Sequence, residues 1–181
     1  MENTLSEYRA VIQKCRDLFL AKARDYGTAW TILRMPSVTD QIFIKAGRLR
    51  SIQESGVNRV GDSLEGEFVG IVNYCVIALM LLAMKETEQG DQLIEGSEAL
   101  ANFYDRQIKF AEEVMLQKNQ DYGEAWREMR ISSITDLILM KIHRLKQIED
   151  NQGKTEVSEG VAANYVDMLN YAAFCLIRME F

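Results

Sequence analysis

One hexapeptide occurs twice in this chain, DYGTAW at 25–30 and DYGEAW at 121–126, 96 residues apart. At that offset, residues 8–53 and 104–149 are identical at 18 of 46 positions. Ordinary composition gives roughly one in fifteen to twenty. The shared residues include Tyr8/Tyr104, Lys22/Lys118, Asp25/Asp121, Tyr26/Tyr122, Gly27/Gly123 and Trp30/Trp126. Arg34/Arg130, Ser37/Ser133, Thr39/Thr135, Asp40/Asp136, Lys45/Lys141, Arg48/Arg144 and Leu49/Leu145 continue the series. Past a loop that differs by one residue the offset becomes 97, and Asn73–Tyr74 matches Asn170–Tyr171. The chain is therefore constrained to fold as two copies of one unit.

That unit reads as three helices. Pro36 is the single proline, and alanine, leucine, glutamate, lysine and methionine are plentiful. These side chains lose little rotamer freedom in a helix. The first helix is expected at about 4–24 and 97–120, opened in the first half by a capping box, Thr4-x-x-Glu7. The second is expected at about 37–54 and 133–150, with Ser37 and Ser133 as cap residues of SVTD and SITD. The third is expected at about 62–85 and 158–179. Gly27 and Gly123 stand where a helix end favours a left-handed residue. No segment alternates as a strand would. The expected fold is all-α, a helical bundle of two repeats at 1–90 and 97–181, related by a pseudo-twofold axis and sharing one core, since an isolated three-helix unit would expose a large apolar face. The third helices, the most apolar, are expected to pack near that axis.

The net charge of −6 disfavours direct DNA or RNA binding, because an acidic chain repels phosphate backbones. Cys15, Cys75 and Cys175 are odd in number and lie far apart in apolar patterns, which argues for buried free thiols rather than disulfides or zinc. MENTLSEY is acidic and polar and does not read as a signal peptide. The apolar run IVNYCVIALMLLAM (71–84) is too short to span a membrane and reads as a core helix. The expectation is a cytoplasmic protein with no membrane partner; homodimerisation is left open.

Polar groups interrupt the apolar faces. Lys45 lies in a stripe with Ile42, Leu49 and Ile52, and Lys141 lies in a stripe with Ile138, Leu145 and Ile148; Arg48 and Arg144 flank them. An unpaired charge there is costly, so each lysine is expected to be mostly buried against a carboxylate, Asp25 and Asp121 first, Glu67 and Asp167 next. On the third helix Asn164, Asp167, Asn170 and Tyr171 share one face, matched by Glu67, Gly70, Asn73 and Tyr74. Gly70 either lets helices approach or leaves room for a ligand. Around the hexapeptides stand Lys22, Asp25, Tyr26, Trp30 and Arg34, and Lys118, Asp121, Tyr122, Trp126 and Arg130. One reading makes the aromatics corner plugs; the other pairs aromatic faces with fixed cations to hold a nucleotide. His143 matches Gly47 and reads as a surface residue.

The pattern K-x-x-DYG-x-AW, R-x-x-S-x-TD, K-x-x-RL and a late NY resembles the nucleotide modification associated domain 1 family, here doubled. The resemblance implies a role around modified nucleotides. The unit is also distantly similar to all-α nucleotide pyrophosphatases of the MazG type, which hold magnesium on paired acidic motifs. This chain departs from them by offering Lys45-x-x-Arg48 where they offer acids.

The leading expectation is a nucleotide-binding or nucleotide-processing protein. If it is an enzyme, Mg²⁺ would assist attack of water on a nucleotide phosphate. Glu67, Glu159 and Asp167 would hold the metal or position the water. Lys45, Arg48, Lys141 and Arg144 would neutralise phosphate, and Tyr26, Trp30, Tyr122 and Trp126 would contact the base. The second half is the better candidate for chemistry, with Glu159, Asn164, Asp167 and Asn170 close in sequence. The alternative is a helical interaction module held by structural ion pairs; a DNA-binding repeat comes third. Enclosure of Lys45 and Lys141 without an adjoining cavity would favour the module.

Overall fold

Each repeat folds into three helices: α1 (Glu2–Tyr26), α2 (Met35–Ser55) and α3 (Leu64–Lys85), then α4 (Ser97–Tyr122), α5 (Ile131–Asp150) and α6 (Val161–Arg178). The computed structural model describes residues 2–154 and 160–180, and no strand occurs among the described residues.

The helix starts differ from the sequence expectations. Thr4 is inside α1, which begins at Glu2, so it cannot be its cap. Its hydroxyl and Glu7 instead bind the second repeat, through Glu124 and Arg127. Ser37 and Ser133 are not caps either. Arg34 and Arg130 precede α2 and α5, and Pro36 occupies the first turn of α2, where its missing N–H costs nothing. A serine does cap α3: Ser63 accepts from the Gly66 N–H at 3.0 Å. Ser158 lies outside the described residues. Gly27 and Gly123 end α1 and α4 with φ of 66° and 61°, left-handed as expected.

The two most apolar helices, α3 and α6, pack along each other more extensively than any other pair, with α2 on α3, α5 on α6, and α2 touching α5. One hydrophobic cluster draws on all six helices. Helix α3 spans 22 residues and is by length and composition able to cross a membrane, longer than the 71–84 run alone implies; 67% of its most apolar window is buried inside the protein. Cys15, Cys75 and Cys175 are free and buried. Burial pushes the Cys15 thiol up to about 12 and the other two higher still.

The repeats exchange matching bonds across their pseudo-twofold axis. Tyr8 donates to Asn170 Oδ1 at 2.8 Å, and Tyr104 donates to Asn73 Oδ1 at 2.8 Å. The free amide ends also match: Asn170 donates to the Ala111 carbonyl and Asn73 to the Cys15 carbonyl, at 3.0 and 3.1 Å. Burial holds both phenols well above their usual range, so they remain donors. On the surface, Arg9 pairs with Glu112 and Arg16 with Asp105, at 2.7 and 2.6 Å. Between α2 and α5, Asp40 pairs with Lys146 at 2.7 Å and Asp136 faces Arg50 at 3.7 Å.

Thr39 shows where the symmetry is chemically uneven. It donates to Glu149 at 2.6 Å and lies 2.7 Å from the Tyr165 hydroxyl. At the matching place Gln53 donates to Thr135 at 3.0 Å. Burial raises the Glu149 pKa above 4.5.

Two outcomes follow from these bonds. Tyr8→Phe leaves buried Asn170 without its donor and should cost about 1–3 kcal/mol in urea unfolding. Tyr104→Phe should cost less, since Asn73 is only half-buried; an unchanged midpoint in Tyr8→Phe would contradict this role. The folded state keeps the Glu149 proton to a higher pH than the unfolded chain does. Stability from this group is therefore present below pH 4.5 and falls as pH rises through the folded pKa. Glu149→Gln, which copies Gln53, should remove that loss. Unfolding midpoints measured from pH 4 to 8 should be flatter in the variant than in the parent.

Candidate functional site

A cavity of about 920 Å³ lies in the second repeat, and its described lining residues come from α4, the corner after it, α5 and α6. The left-handed Gly123 turns the chain back over the end of α4, so that Tyr122 and Trp126 stand at the cavity wall. Helical spacing along α5 places Lys141, Arg144 and Ile148 on the same wall, and α6 contributes Asn164, Asp167, Asn170, Tyr171 and Phe174.

Asp167 is the electrostatic centre. It is 5% exposed, and its Oδ2 accepts from Lys141 Nζ at 2.6 Å, while Oδ1 is held by Lys118. Lys141 is 7% exposed; the Lys118 side chain is 44% exposed and reaches in from α4. An ammonium has three donors, so Lys141 retains hydrogens beyond its bond to Asp167. Arg144 is exposed at the rim and makes no hydrogen bond or ion pair to another described residue.

The corner is clamped from the first repeat. Arg127 bonds Glu124 at 2.9 Å, Thr4 at 2.6 Å and Glu7 at 2.5 Å. Its guanidinium also lies 4.4 Å from the Trp126 ring centre, and Phe174 stacks on Trp126 at 4.3 Å and 3°. With Phe174 and Arg127 packed on it, Trp126 offers an incoming base little more than its edge, not the stacking platform expected from sequence. Its Nε1 is buried without a hydrogen-bond partner among the described residues, as is that of Trp30. Tyr122, 74% exposed, is the aromatic with an open face.

The first repeat uses the same residue types differently. Lys45 pairs with Glu67 at 3.2 Å, and Arg48 holds the other oxygen of Glu67. Arg48 also donates to Asn58 at 2.9 Å and to the Asp62 carbonyl at 3.3 Å, tying down the loop before α3. A Cβ on Gly70 would come within 2.6 Å of Lys45 Cε, so this glycine makes room for the protein's own lysine rather than for a ligand. In both repeats the lysine partner is the carboxylate on the third helix; Asp25 and Asp121 are exposed and lie away from the pairs.

Of the residues singled out from sequence, Lys118, Tyr122, Trp126, Lys141, Arg144, Asn164, Asp167 and Asn170 meet at the cavity, and Asp121 and Arg130 do not line it. Lys22, Asp25, Tyr26 and Arg34 are exposed, and Trp30 is half-buried, tilted against Phe19. Asn73 and Asn170 have both amide ends bound within the protein, so their role is structural. His143 is exposed beside Phe43. Sequence reasoning missed Asn119 and Gln147, which line the cavity where the first repeat has Ala23 and Ser51. The signal available was the difference between repeats at positions flanking the shared motifs.

Among the described residues, the expected magnesium set is not assembled. Glu67 does not line the cavity, Glu159 lies outside the described residues, and Asp167 and Glu67 each have both oxygens held by cations. No group of three or more potential metal ligands occurs among the described residues. With their oxygens so held, Asp167 and Glu67 do not fit a preformed metal site.

A family model described as nucleotide modification associated domain 1 matches residues 22–82 and again 118–179. The second match contains every lining residue of the cavity except Met115. Comparison with curated proteins and with solved structures gives no match.

The two ion pairs make a direct comparison. Asp167→Asn removes the charge that holds two ammoniums, one of them buried, and should cost on the order of 3–5 kcal/mol in denaturant unfolding. Lys141→Met should cost clearly less, because Lys118 remains on Asp167. Equal losses would show that Lys118 does not share the carboxylate.

Proposed function

The chain belongs to the nucleotide modification associated domain 1 family, in two copies, and from that premise we propose that the second-repeat cavity binds a nucleotide. The observation that carries this reading is the guanidinium of Arg144, which pairs with no other described residue, beside Lys118 and Lys141 at a large cavity in an acidic chain. Cations held only for stability would be expected to be neutralised, as Lys45 and Arg48 are by Glu67. The cavity size lies in the range typical of small-ligand sites. In this reading Arg144 and the remaining donors of Lys141 take the phosphate, with the Lys118 ammonium beside them. The open face of Tyr122 takes the base, with apolar support from Met115, Met129 and Phe174.

The proposal is binding, without a hydrolytic step. Asp167 is the one carboxylate among the described lining residues, and it is already occupied. Magnesium, where it takes part, enters with the nucleotide's phosphates. The interaction-module reading applies to the first repeat, where Lys45, Arg48 and Glu67 close on one another and on the 58–62 loop.

A thermal-shift series with nucleoside mono-, di- and triphosphates, with and without Mg²⁺, tests the reading. A ligand present at about 100 times its Kd adds about 2.7 kcal/mol. For a chain of this length that is a rise in Tm of roughly 5–10 °C. Lys45→Met should keep the shift and Lys141→Met should lose it. No shift with any nucleotide would overturn the proposal.

A further inference from the structure

Two buried carboxamides at the cavity have acceptor oxygens that the described protein does not use, and the inference drawn from them rests on the nucleotide-binding reading above. Asn119 on α4 is 7% exposed, Asn164 on α6 is 2% exposed, and both line the cavity. Asn119 Nδ2 donates to Met115 Sδ at 3.2 Å, and Asn164 Nδ2 donates to the Gly160 carbonyl at 3.2 Å. A thioether sulfur and a carbonyl oxygen accept and cannot donate, so each carboxamide is turned with its nitrogen to the protein. Neither Oδ1 accepts a bond from a described residue. Among the described residues, the only fully enclosed side-chain nitrogen or oxygen atoms without a hydrogen bond are the indole nitrogens of Trp30 and Trp126. The two carboxamide oxygens are therefore not enclosed, and the space they meet is the cavity.

Unmet acceptors on a wall this buried call for a donor on the ligand. A phosphate near neutral pH brings strong acceptor oxygens, so it does not face them. The donors of a nucleotide are the amino groups and ring N–H of its base and the hydroxyls of its sugar. Position on α4 separates base from sugar. Asn119 lies one turn before Tyr122 on the same face, and it is buried where Tyr122 is the exposed aromatic with an open face. A base stacked on Tyr122 brings its edge toward Asn119, whereas the sugar lies between the base and the phosphate at Lys141 and Arg144. The first repeat has Ala23 where the second has Asn119, and Glu67 where it has Asn164, so both carboxamides belong to the repeat with the cavity.

We infer that the cavity reads an exocyclic amino group on the nucleotide's base, with Asn119 Oδ1 as the specificity-determining acceptor, and so prefers amino-bearing bases to their oxo counterparts. Asn164 supplies a second acceptor on the α6 wall. Replacing the amino group by a carbonyl sets oxygen against the Asn119 oxygen. A site built to receive a hydrogen bond rejects the analogue that cannot make it far more strongly than an apolar pocket rejects a change in size.

Titration calorimetry of the full chain compares cytidine with uridine nucleotides and adenosine with inosine nucleotides, at the phosphate number that gives the largest thermal shift. In the pair that binds more tightly, the amino member should bind at least about tenfold tighter than its oxo counterpart. Asn119→Ala copies Ala23 of the first repeat and should keep the parent's circular dichroism. It should weaken the amino member about tenfold and leave the oxo member unchanged. Equal binding of the two members, or a preference that survives in Asn119→Ala, would overturn the inference while leaving the nucleotide reading in place. Loss of affinity in the 2′-deoxy nucleotides, with amino and oxo bases bound equally, would assign the acceptors to the sugar and overturn it in the same way. Failure of every nucleotide to bind would overturn both.

Discussion

The hydrogen bond between Tyr8 and Asn170, with its counterpart between Tyr104 and Asn73, is the constraint around which the bundle is arranged. Each bond joins the first helix of one repeat to the third helix of the other. Each asparagine spends its other end on a main-chain carbonyl, of Ala111 or Cys15, in its own repeat's first helix. Asn170 is buried among apolar side chains, where an unmet amide is expensive, so the register of α1 and α4 on the α3–α6 pair is set by satisfying it. The surface pairs repeat the lesson in charge. Arg9 corresponds to Asp105 and Arg16 to Glu112, so the two halves carry opposite signs at equivalent positions. A pairing of two identical first halves would place arginine against arginine, and two second halves acid against acid. These exposed pairs add little stability; their effect is to favour unlike halves.

On that symmetric frame, one substitution on the third helix divides the labour. The lysine of K-x-x-R is retained at 45 and 141, and in both repeats it needs a carboxylate. The first repeat supplies Glu67, one turn earlier than the equivalent of Asp167, and Lys45 must cross Gly70 to reach it. That path draws Arg48 into the same cluster. The second repeat supplies Asp167 directly beside Lys141, draws Lys118 from α4, and leaves Arg144 without a partner among the described residues. The first arrangement closes on itself. The second leaves cations on a cavity whose outer corner is held by Arg127, Thr4 and Glu7, so the first repeat supports the site without lining it.

The repeat, the helices and the all-α class were legible because identity at a fixed offset and helical apolar spacing are properties of the chain alone. The helix starts were misread where tertiary bonds outbid local caps. Thr4 serves Glu124 and Arg127, and α2 and α5 begin just after Arg34 and Arg130, so Ser37 and Ser133 fall inside the first turn. Among site residues, the cavity gathers many second-repeat positions marked by the motifs. The sequence did not show that Asn170, unlike its cavity neighbour Asn164, is bound at both amide ends by Tyr8 and Ala111, because both asparagines follow the same spacing on α6. Nor does it show that Trp126 is covered by Phe174 and Arg127, since stacking depends on how the corner folds back.

The chain has one tryptophan in each repeat, Trp30 and Trp126, and only Trp126 lines the cavity. Their two indole N–H signals in a nitrogen–proton correlation spectrum, assigned with Trp30→Phe, report on the two halves separately in a single titration. If one repeat binds and the other supports it, nucleotide addition moves the Trp126 signal and leaves that of Trp30 in place. Movement of both signals to the same extent, or of Trp30 alone, would contradict the division of roles between the repeats.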